Sequence, residues 1–245
     1  MNSTVDKTEV NHFDKPNQDW WDESGSFSAL HRLTPCRVEY IVQVIKRNII
    51  YKQINSSTQI CNNLNILDVG CGGGLLCEPL SRLGGNVTGI DVSENAIITA
   101  KQHASKMGLK INYICTSLEE LNLKKDFDLI IASEVIEHVL DRKYFLKMIR
   151  KISSNKTSFI FTTINKSIPS LLFGKFAAEY ILNLIPKGTH DWEKFVTPQK
   201  LYLEALENGI YLNNFSGLTP NIFNKEFNLT SYLGINYAAS GIVRE

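Results

Sequence analysis

Asn65-Ile66-Leu67-Asp68-Val69-Gly70-Cys71-Gly72-Gly73-Gly74 is a short apolar run that stops at glycines. A run of that length, bounded by turn residues, reads as a buried strand. The glycines behind it permit positive φ and let a ligand approach the backbone with no Cβ in the way. Leu75 to Leu83 then reads as a helix, so the stretch is a strand, a tight turn and a helix opening in sequence.

The same rhythm continues outward. Asn86 to Asp91 reads as a second strand, and Ser93 is placed to cap a helix running to about Lys106. Ile111 to Cys115 and Phe127 to Ala132 read as the third and fourth strands. Asp141 is a cap for a helix carrying Tyr144, Phe145, Met148, Ile149 and Ile152, and Thr157 to Ile164 is the fifth strand. Apolar strands alternating with amphipathic helices predict an α/β fold, a doubly wound and mostly parallel sheet covered on both faces. Ligands in such sheets bind at the carboxyl ends of the strands, near the switch in strand order. Residues 166–195 interrupt the rhythm as an apolar insertion after the fifth strand. Pro198 to Asn208 reads as a helix, and Ile210 to Phe215 and Asn236 to Ile242 as last strands that supply an antiparallel edge. Upstream, the helical pattern starts at Pro35, with Val38, Ile41, Val42 and Ile45 on one face. Residues 1–58 are therefore expected to form an N-terminal helical cap, and residues 59–245 the main domain.

Composition removes several function classes. The chain has 245 residues, 43% hydrophobic and 21% charged, with a formal net charge of +1. Such a balance gives no global basic field, so nucleic acid is not an expected partner. The five cysteines are odd in number and contain no C-x-x-C pair, which disfavours a disulfide framework or a Cys-only zinc site and favours a reducing compartment. The first residues lack the basic flank and apolar stretch of a signal peptide. No stretch reaches the roughly 20 apolar residues that span a bilayer.

Three chemistries fit the glycine turn. One is a plain βα turn without ligand. A second is a dinucleotide site, but its G-x-G-x-x-G/A pattern starting at Gly70 needs a small residue where Leu75 stands. The third is Asp-x-Gly-x-Gly-x-Gly, met by Asp68, Gly70, Gly72 and Gly74, with Asp91 at the next strand end able to accept hydrogen bonds from ribose hydroxyls. On these residues the chain resembles the class I S-adenosylmethionine-dependent methyltransferases, whose fold is Rossmann-like. The resemblance implies that the turn of Gly70, Gly72 and Gly74 passes beneath the methionine part of S-adenosyl-L-methionine. It implies that Asp68 positions the ammonium, that Asp91 holds the ribose, and that Ser117 and Leu118, followed by Glu119, meet the adenine.

After the fourth strand comes Ser133-Glu134-Val135-Ile136-Glu137-His138-Val139. On one helical turn Glu134, Glu137 and His138 share a face. Two carboxylates and an imidazole make a candidate site for Mg²⁺, which keeps waters or substrate oxygens as further ligands. A metal there lowers the pKa of a phenol, ordinarily about 10, and fixes its orientation. Without a metal, His138 serves as general base. His138 and Glu137 are the candidate catalytic residues. The plainer reading is an ordinary loop, with Glu137 a local cap.

Trp20-Trp21-Asp22, Leu30-His31-Arg32-Leu33-Thr34-Pro35-Cys36-Arg37, Ala178-Glu179-Tyr180-Ile181-Leu182 and Ile185-Pro186-Lys187-Gly188-Thr189-His190-Asp191-Trp192 narrow the resemblance. Over about residues 10–240 the chain is similar to the ubiquinone-biosynthesis O-methyltransferases. That family methylates two hydroxyls, on a 2-polyprenyl-6-hydroxyphenol and on the demethylated ubiquinol. The resemblance implies that Arg37 reaches the cofactor carboxylate, and that Gly70, Asp91 and Ser133 are further cofactor contacts, Ser133 through its backbone. It also implies partners: a polyprenyl phenol or quinol lipid, and a ubiquinone biosynthetic complex.

Residues 168–186 are largely apolar, with Lys166, Lys175 and Lys187 within or beside them. A helix of 16 residues there is about 24 Å long, short for a bilayer span. It is either a lid over the site or an interfacial element with lysines at anionic headgroups. The second reading gives a cytoplasmic protein bound peripherally to the inner face of the membrane. His190, Asp191 and Trp192 either line an aromatic pocket or pack as a loop. Competing functions are another small-molecule methyltransferase, a nicotinamide-dependent oxidoreductase, and a catalytically silent scaffold.

Overall fold

The computed structural model describes residues 3–5, 20–49, 59–123, 126–171, 192–221 and 226–243. Its centre is an eight-stranded sheet. The strands are β1 (Asn65–Val69), β2 (Asn86–Asp91), β3 (Asn112–Cys115), β4 (Leu129–Ser133), β5 (Ser158–Ile164), β6 (Ile210–Pro220), β7 (Phe227–Thr230) and β8 (Asn236–Val243). Their order is β3-β2-β1-β4-β5-β8-β6-β7. The first five pair in parallel, while β8, β6 and β7 join antiparallel. The chain winds from β1 outward to β3, then returns to β4 on the other side of β1. The switch in order therefore falls between β1 and β4, and their carboxyl ends form the crevice expected to hold a ligand.

The doubly wound α/β sheet is thus as the sequence pattern implies, and the antiparallel part is larger. It holds three strands rather than one edge, and β8 inserts between β5 and β6 instead of following β6 outward. β7 is short and half-buried, with the pattern Phe227-Asn228-Leu229-Thr230, too brief to announce itself as a strand.

Strand alternation divides the core. Ile66, Ile131, Ile160 and Ala238 face one way and pack with α2 (Cys77–Arg82), α3 (Glu94–Lys106) and α1 (Ser28–Val44). Leu67, Val69, Ile130, Ala132, Phe159 and Phe161 face the other way, under α4 (Arg142–Lys151) and α5 (Pro198–Glu207). Caps set three of these helices. Ser93 Oγ accepts from Ala96 N at 3.1 Å, Asp141 Oδ1 from Tyr144 N at 3.0 Å, and Thr197 Oγ1 from Lys200 N at 3.2 Å. Each such cap stabilises its helix by about 1 kcal/mol. On α4 the buried side chains are Phe145, Leu146, Met148 and Ile149, and burial of each contributes roughly 1.5–3 kcal/mol.

α1 corrects one expectation. The helix begins at Ser28, and Pro35 lies inside it rather than at its start. Proline removes one backbone donor from a helix interior. The donor lost is the one that would meet the His31 carbonyl; one position earlier, the Leu30 carbonyl accepts from Thr34 Oγ1 at 2.8 Å and from Arg37 Nη2 at 3.3 Å. The buried residues Leu33, Cys36, Arg37, Tyr40, Ile41 and Val44 follow helical spacing. Their face lies on the antiparallel half of the sheet, where Tyr40 Oη donates to Asn214 Oδ1 at 3.0 Å. α1 is thereby part of the main core, and its buried arginine is held over the carboxyl end of β4.

The insertion is described only at its ends. Residues 168–171 are helical, and Ile168 is 71% exposed. Residues 172–191 lie outside the described residues, and with them most of the 168–186 segment, His190 and Asp191. Trp192 belongs to a short 3-10 turn, Trp192–Lys194, and its ring sits 5.9 Å from that of Phe195. Among the described residues no helix is long and apolar enough to cross a membrane.

Candidate active site

The turn after β1 adopts the backbone that its glycines permit. Gly70, Gly72 and Gly74 have φ of 71°, 52° and 88°, in the left-handed region that L side chains rarely adopt. At Gly74 there is also no room: a Cβ would lie 2.3 Å from the Tyr113 hydroxyl. Gly70 and Cys71 N–H groups bond to the Ile90 carbonyl at 2.8 and 3.0 Å, which draws the turn against the end of β2.

Asp91 closes this corner. Its Oδ2 accepts from Gly72 N at 2.8 Å, and its Oδ1 accepts from Ser93 N at 2.9 Å. The two bonds hold the carboxylate at the end of β2, facing the glycine turn. The sequence reading gave Asp91 the ribose alone; the structure adds that the same carboxylate braces the glycine turn.

Asp68 is 2% exposed and accepts from Cys77 Sγ at 3.2 Å. Burial pushes its carboxyl up to about 6, while the Cys77 thiol and the Arg37 guanidinium pull it back and Asp91 adds to the rise. Arg37 is 5% exposed. Its Nη1 donates to Ser133 Oγ at 2.8 Å and its Nη2 to Thr34 Oγ1 at 2.7 Å. Burial works against its charge, and Glu134 and Asp68 support it. Its Nε has no hydrogen-bond partner among the described residues. A buried, unpartnered donor on a cation points to an anionic group that completes the site. A cofactor carboxylate has that chemistry.

Ser133 has a part beyond the backbone contact expected of it. Its hydroxyl is engaged by Arg37 and by Thr162 Oγ1 at 2.7 Å, so the side chain holds the arginine. Ser117 is half-buried after β3, while Leu118 is buried in the apolar cluster with Val69 and Ile90. Any contact of Leu118 with an adenine is therefore made from its backbone side. Neighbouring Glu119 accepts a hydrogen bond from the backbone N–H of Thr4.

The segment after β4 corrects the geometry expected of Glu134, Glu137 and His138. They do not share one α-helical turn. Glu134 has φ 56°, and only Ile136–His138 form a 3-10 turn. Glu134 Oε1 accepts from Thr162 Oγ1 at 2.7 Å and Oε2 from Asn236 Nδ2 at 3.4 Å. Glu137, 3% exposed, accepts from Thr163 Oγ1 at 2.8 Å. Thr162 and Thr163 of β5 thus hold one carboxyl each, and the two carboxyls also lie within hydrogen-bonding reach of each other. Desolvation pushes each up to about 7; the Glu137 charge also raises Glu134, and Arg37, Thr162 and His138 draw Glu134 down. His138 is half-buried. Among the described residues no group of three or more His, Cys, Asp and Glu side chains is placed to hold a metal ion. The physical reason is the reversed backbone at Glu134, which takes its carboxyl out of the helical register.

Sequence reasoning missed Trp20 and Trp21 as parts of this site. A Cβ on Gly73 would meet Trp20 at 2.4 Å, and Trp21 Nε1 donates to the Gly73 carbonyl at 3.1 Å. Their signal was the string Trp20-Trp21-Asp22, which narrowed the resemblance but gave neither tryptophan a contact.

Comparison with known proteins adds the following. Residues 67–161 match the methyltransferase domain family model. The chain is 42% identical to the ubiquinone biosynthesis O-methyltransferase of Pelagibacter ubique over 238 residues, which is 97% of each chain. It is 40% identical to the ubiquinone biosynthesis O-methyltransferase of Rickettsia prowazekii, over 96% of this chain and 90% of that one. Among solved structures it resembles magnesium protoporphyrin IX methyltransferase from Synechocystis with bound SAH. There the TM-score is 0.61 and the identity 17%, with 97% of this chain and 93% of that chain covered. At that identity the likeness concerns the fold.

Proposed function

The chain belongs to the ubiquinone biosynthesis O-methyltransferases, and from that membership we propose that it moves the methyl group of S-adenosyl-L-methionine to phenolic hydroxyls of polyprenylated ubiquinone precursors. The observation that carries the cofactor half is the corner at the ends of β1 and β2, where the Asp91 carboxylate is held against a turn of three positive-φ glycines. The buried Arg37 Nε, without a partner, suits the cofactor carboxylate.

Bound S-adenosyl-L-methionine supplies an electrophilic methyl on its sulfonium. The residues of this chain then have four tasks. Asp91 accepts the ribose hydroxyls. Asp68 and Arg37 meet the ammonium and carboxylate ends. Ser117 and Leu118 bound the adenine. His138 takes the proton of the phenol as its oxygen bonds to the methyl carbon and the sulfur keeps the electron pair of the broken bond. The N-terminal stretch Trp20–Arg37, which brings Trp20, Trp21 and Arg37 to the turn and to the end of β4, acts as the cap over the cofactor.

Glu134 and Glu137 are hard oxygen donors held together, which suits a divalent cation that completes its shell with waters and substrate oxygens. Two carboxylates are a smaller set than the three ligands expected, and the cation would lower the phenol pKa and orient the ring. The apolar segment 168–186, opened by the exposed Ile168, is proposed as the contact with an anionic membrane surface where the lipid substrate resides.

One assay tests these points together: transfer of labelled methyl to a 2-polyprenyl-6-hydroxyphenol. Transfer is expected, abolished by EDTA and restored by Mg²⁺. With the phenol carried in anionic vesicles, Phe173→Asp/Phe176→Asp is expected to lose transfer that wild type performs, while both turn over a soluble short-chain phenol. Transfer indifferent to EDTA sinks the cation and leaves proton removal to His138. No transfer to any such phenol, with cofactor demonstrably bound, sinks the substrate class.

The carboxyl of Asp68 adds a pH dependence. In the free protein it is raised to about 6, chiefly by burial. A cofactor cation beside it favours the carboxylate, so binding below about pH 6 must release a proton. Affinity is therefore expected to fall as pH drops through 6, and to be level at that site above it. Calorimetry at pH 5.5 in two buffers of different ionisation enthalpy reads the released proton. Equal heats in the two buffers would remove Asp68 from contact with the cofactor cation.

A further inference from the structure

Three successive glycines, Gly72 to Gly74, carry no side chain by which the fold can hold them. Glycine also loses more conformational freedom on ordering than any other residue. The restraints on this turn must therefore come from its backbone groups. Gly72 N is bonded to Asp91, and Gly74 N to the Cys71 carbonyl at 3.0 Å. The Gly73 carbonyl is bonded by Trp21 Nε1, from a residue 52 positions away.

Trp21 is itself held. Its ring lies flat on that of His103, with centroids 3.5 Å apart and 9° between planes. His103, on α3, has its Nδ1 2.7 Å from Glu78 Oε1. Glu78 is 2% exposed, and a carboxylate accepts, so Nδ1–H donates and the imidazole is fixed in one orientation. Glu78 in turn follows the glycine turn directly: its N–H bonds to the Gly74 carbonyl at 3.1 Å. The contacts therefore close a ring from Gly73 through Trp21, His103 and Glu78 back to Gly74. On the other side Trp20 covers Gly73, stacks on Phe27 at 3.8 Å, and has its carbonyl 2.8 Å from His31 Nε2.

We infer that Trp21, oriented by His103 and Glu78, is a positioning residue for the cofactor turn, and that seating of the Trp20-Trp21 segment and binding of S-adenosyl-L-methionine are one coupled event. This rests on the cofactor reading above and names a part of that site which the glycine pattern does not contain. The Glu78 carboxylate is fixed from both sides, by His103 Nδ1 at 2.7 Å and by Arg82 Nη2 at 3.4 Å, so it gives the imidazole a firm anchor. Coupling of this kind is reciprocal: whatever the seated segment adds to cofactor affinity, the cofactor adds to seating of the segment.

Trp21→Phe keeps an aromatic ring on His103 and removes the N–H donor together with the smaller ring that bears it. Loss of one hydrogen bond predicts cofactor affinity weaker by about fivefold to tenfold. The kcat at saturating cofactor should stay within about twofold, because the transferred methyl is untouched. Glu78→Ala should move the cofactor Kd in the same direction, while Glu78→Gln, which keeps an oxygen for His103, should restore it. Hydrogen exchange supplies the second readout. The cofactor should slow exchange across residues 20–31 in wild type, and do so less in Trp21→Phe. A purely structural part for Trp21 would instead lower the melting temperature and speed exchange equally with and without cofactor, which overturns the inference. So would a wild-type Kd in Trp21→Phe. Wild-type protein that binds no S-adenosyl-L-methionine would mean that the cofactor reading itself has failed, a result distinct from either.

Discussion

Asp91→Ala is expected to weaken S-adenosyl-L-methionine binding at least about a hundredfold. Two losses combine. Hydrogen bonds to a charged acceptor contribute roughly 1.5–3 kcal/mol each, and the ribose would lose its acceptor. The second loss comes from the protein. Gly72 is buried and its N–H is bonded to Asp91 Oδ2 at 2.8 Å, so the variant leaves that donor without its partner in a turn with φ of 52°. An unsatisfied buried donor costs about 1–3 kcal/mol. At about 1.4 kcal/mol per factor of ten, two lost ribose hydrogen bonds of this kind, about 3 kcal/mol at the low end, amount to about two decades, and the Gly72 loss adds to this as far as the turn loosens in the free protein. Asp91→Asn should fall between, because one oxygen remains for either Gly72 or Ser93 while the charge is gone. Titration calorimetry, with circular dichroism to establish folding, decides it. A folded Asp91→Ala protein whose Kd lies within threefold of wild type would end the ribose role and the bracing role together.

Arg37→Ala is expected to cost both affinity and stability. The guanidinium is buried and reaches Ser133, Thr34 and the Leu30 carbonyl, while its charge stands against Glu134 and Asp68. Removing one side of a buried charge arrangement leaves the rest uncompensated, typically about 3–5 kcal/mol. Denaturant unfolding should show a loss of this order. Cofactor affinity should drop about a hundredfold if Nε meets the carboxylate, since charge-assisted pairs are among the stronger hydrogen bonds. Arg37→Lys should recover little, because one ammonium does not reproduce the planar fork that spans Ser133 and Thr34. The informative failure is a protein that is less stable yet binds cofactor as wild type does. Arg37 would then be a structural cation that holds β4 to α1, and the cofactor carboxylate would have another partner.

Much of the fold was legible because it depends on near neighbours. The apolar runs at Asn65–Val69, Asn86–Asp91 and Ser158–Ile164 became strands close to the expected limits. Ser93 and Asp141 cap the helices they precede, since a cap bonds only three residues ahead. The site was legible where it is backbone: Gly70, Gly72 and Gly74 lie on the turn they were expected to form, and Asp68 stands at the end of β1 just before it. It was less legible where side chains meet across the chain. No local pattern announced that the Ser133 hydroxyl supports Arg37, 96 residues away. The triad of Glu134, Glu137 and His138 was drawn on an α-helical turn that the backbone at Glu134 does not make.

The sequence alone determined the alternation of strand and helix, the positive-φ glycines and the acids at the ends of β1 and β2. Each of these follows from periodicity, sterics or hydrogen bonds within a few residues. Only the tertiary structure decided that β8 enters between β5 and β6, that α1 runs through Pro35 to place Arg37 over β4, and that Trp21 rests on His103 above Gly73. Those outcomes depend on which surfaces bury each other. Burial rewards apolar area removed from water without regard to distance along the chain, so no local pattern encodes it.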